Sequence, residues 1–299
     1  MSSKETLNVM VFGGSGFMGS HLCDELTRSG HQVTVYDVVK SPWLQPNQKM
    51  IVGDILEKEA LVKELKQCKT DVVYHFAGIA DIDECHRDSL KAIKYNVLGT
   101  ATLLEACAEA GVKKFVLASS AYVSSDKGSF YRVTKQACEG LVEEYHKKFG
   151  FDYVILRYGS LYGPRSDARN SLFRLVSQAL QDNQIIYKGS GEEKREFIHV
   201  LDAAKLSVQI LNPKYSGQKI LLTGNRTVEY KELLEMIQEM LKGKVKIEFD
   251  PQHAGTHYKL SPYTFQPDIV HKLVGDYHVD FGQGLLALIQ EIHEMKSRK

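Results

Sequence analysis

Residues 9–19 read VMVFGGSGFMG, an apolar run that leads directly into a glycine-rich turn. Such a turn between a strand and a helix is typical of loops that bind a dinucleotide pyrophosphate. Gly13 permits the tight turn, Gly16 lets the backbone approach the pyrophosphate, and Gly19 allows the helix to pack close to the strand. The N-terminus of that helix adds free N–H groups and the positive end of its dipole. The stretch therefore predicts a cofactor loop at the edge of a parallel sheet.

Apolar, β-rich runs alternate with amphipathic segments through the first half of the chain. They predict strands at residues 7–12, 33–37, 50–52, 72–76, 115–118 and 153–156. They predict helices at residues 18–28, 58–66, 89–110 and 131–149. Because strands that alternate with helices usually pair in parallel, this pattern predicts an α/β fold with a doubly wound parallel sheet of the Rossmann type.

Asp37 ends the second predicted strand, about 20 residues beyond the glycine turn. A carboxylate at that place accepts hydrogen bonds from the adenosine ribose hydroxyls and repels a 2′-phosphate. Asp37 therefore favours NAD over NADP as the cofactor, and the nearby Lys40 weakens that discrimination.

Tyr131 and Lys135 stand at helical spacing, which puts both side chains on one face of a helix. A phenol has an ordinary pKa of about 10 and is a weak base at neutral pH. A nearby ammonium and a positive nicotinamide ring favour the phenolate, and lowering the phenol pKa to about 7 takes about 4 kcal/mol. Ser120 follows the strand at 115–118, and its hydroxyl can orient a substrate oxygen. Together these residues predict proton removal from an alcohol during its oxidation.

The second half of the chain alternates less regularly. Helices are predicted at 170–181, 202–211, 229–241 and 285–293, and strands at 185–188, 196–200 and 219–222. No proline- or serine-rich linker separates the halves, so we expect two lobes packed around a cleft. Residues 1–165 are predicted to form the NAD-binding domain, which also receives 197–225. Residues 166–299 are predicted to form mainly the smaller, substrate-binding C-terminal lobe.

Composition narrows the class of protein. The chain has 299 residues, of which 43% are hydrophobic and 25% charged, as in ordinary globular proteins. A net charge of +1 provides no overall field for nucleic acid or an anionic membrane. The five cysteines form no CxxC pair, so we expect reduced, buried thiols and no metal site. The N-terminus lacks a signal-like apolar region and no long apolar run follows, so we expect a cytoplasmic, unanchored protein.

The ordered motifs resemble the extended short-chain dehydrogenases/reductases, specifically the NAD-dependent nucleotide-sugar epimerase/dehydratase family. Beside the glycine turn and YRVTK at 131–135, the resemblance includes GDI at 53–55, HFAG at 75–78, Asn96, RYGSLYGP at 157–164 and REFIHVLD at 195–202. It extends over nearly the whole chain.

The resemblance implies three sets of site residues. The catalytic set is Ser120, Tyr131 and Lys135. The NAD-binding set is Gly13, Gly16, Phe17, Met18, Gly19, Asp37, Asp54, Ile55, Phe76, Ala77, Gly78, Asn96, Tyr131 and Lys135. The substrate-binding set is Ser120, Ser160, Asn170 and Arg195.

Several departures from the family pattern bear on the reaction. The 4,6-dehydratases have Thr-Asp-Glu where this chain has Ser120, Ala121 and Tyr122. The connection before Tyr131 is short, which either opens the site to a bulky sugar or displaces the tyrosine. Ser160 replaces the family's substrate asparagine. The segment 254–263 lacks the family's C-terminal arginine, so Arg165, Arg169, Asn170 and Lys259 become candidates for nucleotide recognition. The sequence at 254–284 also resembles GDP-heptose dehydrogenases.

The resemblance implies NAD-dependent oxidation of a nucleotide-sugar hydroxyl at C4, by a 4-dehydrogenase or a 4-epimerase, with a GDP-heptose among the candidate substrates. A nucleotide-sugar 4,6-dehydratase and a non-catalytic NAD-sensing protein are the alternatives. It also implies a homodimer formed through the helices at 89–110 and 131–149. Val133, Ala137, Gly140 and Leu141 would then pack against the partner, although they could equally face only the sheet.

Overall fold

Eight parallel strands form the central sheet of the computed structural model, which describes residues 6–251 and 270–297. In spatial order they are β13 (His271–Lys272), β10 (Gln218–Leu222), β6 (Asp152–Tyr158), β5 (Lys114–Ser120), β4 (Val72–His75), β1 (Asn8–Phe12), β2 (Gln32–Asp37) and β3 (Lys49–Val52). The order β3-β2-β1-β4-β5-β6 is that of the doubly wound dinucleotide fold. The predicted fold class is confirmed.

Two small sheets lie outside the central one. One is made of β11 (Thr227–Glu229), β9 (Lys194–His199) and β7 (Ser160–Tyr162), and the other of β12 (Lys246–Phe249) and β8 (Gln184–Tyr187). The strands β7, β11, β12 and β13 were not predicted. Each has only two to four residues, too few for a period-two pattern to emerge.

Ten α-helices surround these sheets within the described residues. They are α1 (Phe17–Arg28), α2 (Lys58–Gln67), α3 (Ile82–Arg87), α4 (Ser89–Ala92), α5 (Gly99–Ala110), α6 (Ser129–Phe149), α7 (Ser171–Asp182), α8 (Val200–Gln209), α9 (Tyr230–Met240) and α10 (Phe281–Ser297). The helix predicted at 89–110 is divided into α4, a π-helical turn at Ile93–Leu98 and α5. None of the helices in 6–251 and 270–297 has the length and apolar character needed to cross a membrane.

Apolar side chains cover both faces of the central sheet and fill a third cluster in the smaller lobe. Helix α8 packs on one face of the central sheet, where its Ser207 forms hydrogen bonds with residues of two strands. Its carbonyl accepts the Tyr74 hydroxyl at 2.6 Å, and its own hydroxyl hydrogen-bonds that of Tyr158 at 2.6 Å. Residues 200–222 thus pack with the N-terminal core. The division of domains at residue 165 stays a prediction.

The parallel strands β1, β2, β4 and β5 all end at one edge of the sheet. Successive strands are added on one side of β1 up to β3 and on the other side from β4 onward, so the strand order reverses between β1 and β4, which is the switch point where ligands bind in this architecture. The glycine turn, Asp37, residues 76–78 and Ser120 all follow or end strands at that edge.

Candidate active site

The glycine turn is packed too tightly to accept a side chain at Gly13 or Gly19. Gly13 has a φ of +78°, and a Cβ there would lie 2.6 Å from the backbone nitrogen of Ala77. A Cβ on Gly19 would lie 2.2 Å from the carbonyl oxygen of Gly13. Gly16 precedes α1, and no described side chain caps that helix. The first turn of α1 therefore faces the strand edge with backbone amides, which fits a pyrophosphate.

Asp37 is held at the end of β2 by the glycine turn. One carboxylate oxygen accepts the Ser15 N–H at 3.0 Å, and the other accepts the Val39 N–H at 3.2 Å. The Ser15 hydroxyl donates to the Val39 carbonyl at 2.8 Å. These bonds fix the direction of the carboxylate while each oxygen keeps a further lone pair for a ribose hydroxyl.

Asn96 clamps the loop that follows β4. Its Oδ1 accepts the Ile79 N–H at 2.7 Å, and its Nδ2 donates to the Ile79 carbonyl and to Thr134 Oγ1, both at 3.0 Å. Gly78, with a φ of +135°, makes room because a Cβ would lie 2.6 Å from Asn96 Oδ1. Both amide hydrogens of Asn96 are used in this way, so the side chain orients the loop. Its direct contact with cofactor stays a prediction.

The remaining residues of the expected cofactor set line the same edge. Phe17 packs edge-on against His21, and Met18 is buried at the start of α1. Phe76 packs on Tyr158, with ring centroids 5.8 Å apart. Ile55 is buried, and Asp54 Oδ1 accepts the Leu56 N–H at 3.0 Å.

Ser120, Tyr131 and Lys135 meet where β5 ends beside α6. The Ser120 hydroxyl lies beside the phenol of Tyr131. Burial raises the pKa of Tyr131 to about 12, and the interaction with Ser120 acts in the opposite direction. Burial lowers the pKa of Lys135, whose Nζ donates to the Ala118 carbonyl at 2.8 Å and lies 6.0 Å from the Tyr131 ring centroid. Ser120 is thus a group that opposes the effect of burial on the Tyr131 pKa, and the expected effects of the Lys135 ammonium and of a nicotinamide ring on that pKa stay predictions.

The short connection before α6 brings Tyr131 to Ser120 through a sharp turn. Gly128 has a φ of +98° and Ser129 a φ of +50°, so two consecutive residues adopt left-handed backbone. A Cβ on Gly128 would lie 2.7 Å from the Tyr122 ring. The Tyr122 ring in turn packs edge-on against that of Tyr131, with centroids 6.5 Å apart.

A buried ion pair behind this site was not predicted. Glu139 lies one turn beyond Lys135 on α6 and binds Arg157 of β6, and both side chains are 5% exposed. The only sequence signal is the spacing of Tyr131, Lys135 and Glu139, which repeats every fourth residue along one helical face.

His75 lies buried at the end of β4. Its Nε2 hydrogen-bonds Thr100 Oγ1 at 2.9 Å, and its Nδ1 has no hydrogen-bond partner within the described parts of the chain. Burial, with a smaller effect of the Lys135 charge, lowers the pKa of His75 to about 3. The ring is therefore neutral at physiological pH.

Ser160 and Arg195 share the small sheet, because β7 pairs with β9 in parallel. Ser160 is half-buried. Arg195 is buried, with its guanidinium carbon 5.5 Å from the centroid of the Tyr230 ring. Asn170 instead caps α7: its Oδ1 accepts the N–H groups of Leu172 and Phe173, and its Nδ2 donates to a carbonyl.

The other candidates for nucleotide recognition have protein partners. Arg165 binds Asp24 at 2.7 Å and lies over the ring of Trp43. Arg169 forms an exposed, forked pair with Asp167. Lys259 and the segment 254–267 lie outside the described residues. Within the described ranges, no group of three or more His, Cys, Asp or Glu side chains is arranged to hold a metal ion.

Comparisons with known proteins agree with this architecture. The model of the "NAD dependent epimerase/dehydratase family" matches residues 9–222. A UDP-N-acetyl-alpha-D-glucosaminuronate decarboxylase from Bacillus cytotoxicus is 28% identical, with 96% of this chain and 98% of the relative covered. A UDP-glucuronic acid 4-epimerase from Bacillus cereus, solved with UDP-glucuronic acid and NAD, is 27% identical with a TM-score of 0.82, covering 96% of this chain and 99% of that one. A UDP-glucose 4-epimerase from Thermotoga maritima has a TM-score of 0.83 at 22% identity, covering 96% and 99%, and shows the shared fold.

Proposed function

Because this chain belongs to the NAD-dependent epimerase/dehydratase family, we propose that it oxidises the C4 hydroxyl of a UDP-sugar and returns the hydride as a 4-epimerase. The observation that carries the proposal is the placement of the Ser120 hydroxyl beside the Tyr131 phenol at the carboxyl edge of the sheet, next to the anchored Lys135. The UDP-sugar is inferred from the Bacillus cereus 4-epimerase, which resembles this chain over nearly its whole length.

Each residue has a role that follows from its surroundings. Tyr131 takes the proton of the sugar hydroxyl, and Ser120 orients both oxygens through its own hydroxyl. Lys135 is anchored by the Ala118 carbonyl, so its two other N–H bonds are available to a ribose. NAD, when bound, supplies the hydride acceptor and a positive charge. With the phenol pKa raised to about 12 by burial, that added positive charge is what favours proton loss from Tyr131.

The glycine turn, Asp37 and the 76–78 loop would hold the cofactor. The proposed sites of pyrophosphate and adenosine ribose are the first turn of α1 and the fixed Asp37 carboxylate. Ser160 and Arg195 would meet the substrate from the small sheet, with Arg195 suited to a diphosphate. Asn170 is better accounted for as the cap of α7.

The alternatives make different demands on the residues after Ser120. A 4,6-dehydratase must move a proton at C5 and protonate the leaving oxygen at C6, but Ala121 and Tyr122 carry no carboxylate for this work. A non-catalytic sensor would not need the Ser120 hydroxyl beside the Tyr131 phenol. The relatives described above act on UDP-sugars by name, so a GDP-heptose gains no support and is not proposed.

A second candidate is a UDP-uronate decarboxylase, favoured by the Bacillus cytotoxicus relative. Oxidation at C4 of a uronate produces a β-keto acid, whose carboxylate leaves as carbon dioxide when the C5–C6 bond breaks. The enolate that remains takes a proton at C5 from water, and the returned hydride then reduces the C4 ketone. The same three residues would therefore serve both reactions up to the ketone, and the product alone separates them.

The test is a product screen with UDP-glucose, UDP-glucuronate and UDP-N-acetylglucosamine, separated by chromatography and weighed by mass spectrometry. An epimer of unchanged mass supports the proposal, and Tyr131→Phe should not form it. A product lighter by one carbon dioxide identifies the decarboxylase. A product lighter by one water identifies the dehydratase, and no conversion of any sugar contradicts the proposal.

A homodimer is proposed from the outer face of α6. Val133 is 49% exposed, Ala137 and Gly140 are also exposed, and a Cβ on Gly140 would point into open space. These residues face away from the sheet, whereas Leu141 packs against the core. Leu90, 77% exposed on the adjoining α4, extends the apolar surface. The cytoplasmic location stays a prediction.

A further inference from the structure

The Glu139–Arg157 pair joins four elements directly behind the proposed catalytic residues. Glu139 Oε1 accepts the Ser119 hydroxyl at 2.6 Å and Arg157 Nε at 3.0 Å, and Oε2 accepts Arg157 Nη2 at 2.8 Å. Arg157 Nη1 also donates to Ser124 Oγ at 3.3 Å. Through these bonds α6 and β6 hold the end of β5 and the 3-10 turn at Ala121–Ser124.

A contribution to the stability of the fold does not explain why Glu139 and Arg157 form a buried ion pair. Removing two charges from water costs several kcal/mol per ion, and apolar replacements of a buried pair are often as stable or more so. A planar guanidinium that meets a carboxylate through two parallel bonds does, however, fix relative position and orientation closely. We therefore expect the pair to fix the relative position and orientation of the elements that it joins.

The geometry that it fixes is that of the two hydroxyls. Ser119, bonded to Glu139, immediately precedes Ser120, while Glu139 lies two helical turns beyond Tyr131 on the same face of α6. Ser124, bonded to Arg157, ends the turn that begins just after Ser120. A shift of α6 along β5 would break these bonds and separate Ser120 from Tyr131.

We propose that Glu139 and Arg157 are positioning residues, which hold Ser120 beside Tyr131 by locking α6 against β5 and β6. Neither touches the substrate or the cofactor in this account. Loss of the pair should therefore slow the chemical step while leaving binding intact, because small displacements of reacting groups cost rate. The kinetic part of the test rests on the proposed function, and the structural part does not.

Glu139→Gln removes the charge at nearly constant shape, and Glu143→Gln is its matched control. Glu143 lies one turn further along α6, is partly exposed and binds Lys219 at 2.9 Å. In Glu139→Gln, kcat should fall by about tenfold or more with KM and the NAD Kd nearly unchanged. In Glu143→Gln, all three constants should stay within about twofold of the parent protein.

The double replacement Glu139→Leu with Arg157→Met distinguishes loss of positioning from loss of folding, because it leaves no unpaired buried charge. It should regain the melting temperature of the parent but not its kcat. A crystal structure of this double variant should show the Ser120 and Tyr131 hydroxyls farther apart than in a crystal structure of the parent. A double variant with parental kcat, or with the two hydroxyls at the parental separation, overturns the positioning role. If the parent converts no UDP-sugar, the proposed function fails, and the crystal structure still decides the positioning role.

Discussion

The Lys135 ammonium donates a hydrogen bond to the Ala118 carbonyl, 2.8 Å away, and so ties α6 to the strand that ends in Ser120. A lysine with this anchor cannot move freely towards the phenol of Tyr131, whose ring centroid lies 6.0 Å from it. The Ser120 hydroxyl is the group beside the phenol that acts against the effect of burial on its pKa. Proton removal then depends on the adjacent Ser120 and Tyr131 hydroxyls, and Lys135 contributes an ordered charge behind them.

Tyr131→Phe should lower turnover by about 10²- to 10⁴-fold, the usual contribution of a positioned acid or base. NAD affinity should be unchanged, because the ring is kept and only its hydroxyl is lost. Steady-state kinetics and calorimetric NAD titration measure the two effects. Tyr145→Phe is the control, since Tyr145 lies on the same helix but bonds Glu105. Parental turnover in Tyr131→Phe would remove the tyrosine from the mechanism.

Asp37→Ser should change the choice of cofactor. The substitution removes a carboxylate that the Ser15 and Val39 amides hold at the end of β2. Loss of charged hydrogen bonds to the ribose should lower the affinity for NAD by about tenfold or more. Loss of the repulsion of the 2′-phosphate should raise the affinity for NADP. Titrations with both dinucleotides test this, and an unchanged ratio of the two Kd values would contradict it.

Gly19→Ala should destabilise the protein far more than Gly16→Ala. The new Cβ at position 19 would lie 2.2 Å from the Gly13 carbonyl oxygen, whereas at position 16 the same oxygen is 3.3 Å away. Backbone must move in the first case, at a cost of about 1–3 kcal/mol or more, and the second requires only a small adjustment. Urea denaturation compares the two variants, and equal midpoints would show that the turn is more open than described.

His75 should make the protein less stable as the pH falls below 6.5. Its pKa is about 3 in the folded chain and ordinarily 6.5, so between these values the unfolded chain binds more protons. The stabilisation is complete above pH 6.5 and is lost progressively towards pH 3. Between pH 6.5 and 4.5 the loss should be about 2–3 kcal/mol. In His75→Gln, the free energy of unfolding measured by urea denaturation should decline less as the pH falls, because His75 is gone. Some decline should remain, because His21 and His199, whose pKa values are also lowered, are still present. An equally steep decline would exclude His75.

Val133→Glu should produce a monomer. Val133 lies on the exposed face of α6 that is proposed to meet a second copy, and a charge there would be buried without a partner. Size-exclusion chromatography with light scattering should give the dimer mass for the parent and half of it for the variant. A monomeric parent would contradict the proposed dimer directly.

Local patterns sufficed for the fold and for the outline of the site. The strand, glycines and helix around Gly13 form one continuous signal, and Asp37 and Ser120 stand at strand ends that parallel pairing brings together. The π-helical turn at Ile93–Leu98 could not be predicted from the sequence, because its residues suit an ordinary helix. The Glu139–Arg157 pair joins residues on different elements, and only the packing of α6 on β6 brings them into contact. For Asn170 the sequence allows two interpretations, because an asparagine before a helix suits a cap as well as a substrate contact.

Oxidation at C4 is tested most directly with the UDP-sugar identified by the product screen, labelled with deuterium at C4. If C4 is oxidised and reduced again, conversion should be slower than with the unlabelled sugar, and NMR should find the deuterium on C4 of the inverted product. A product changed at another carbon, with the configuration and deuterium at C4 untouched, would contradict oxidation at C4.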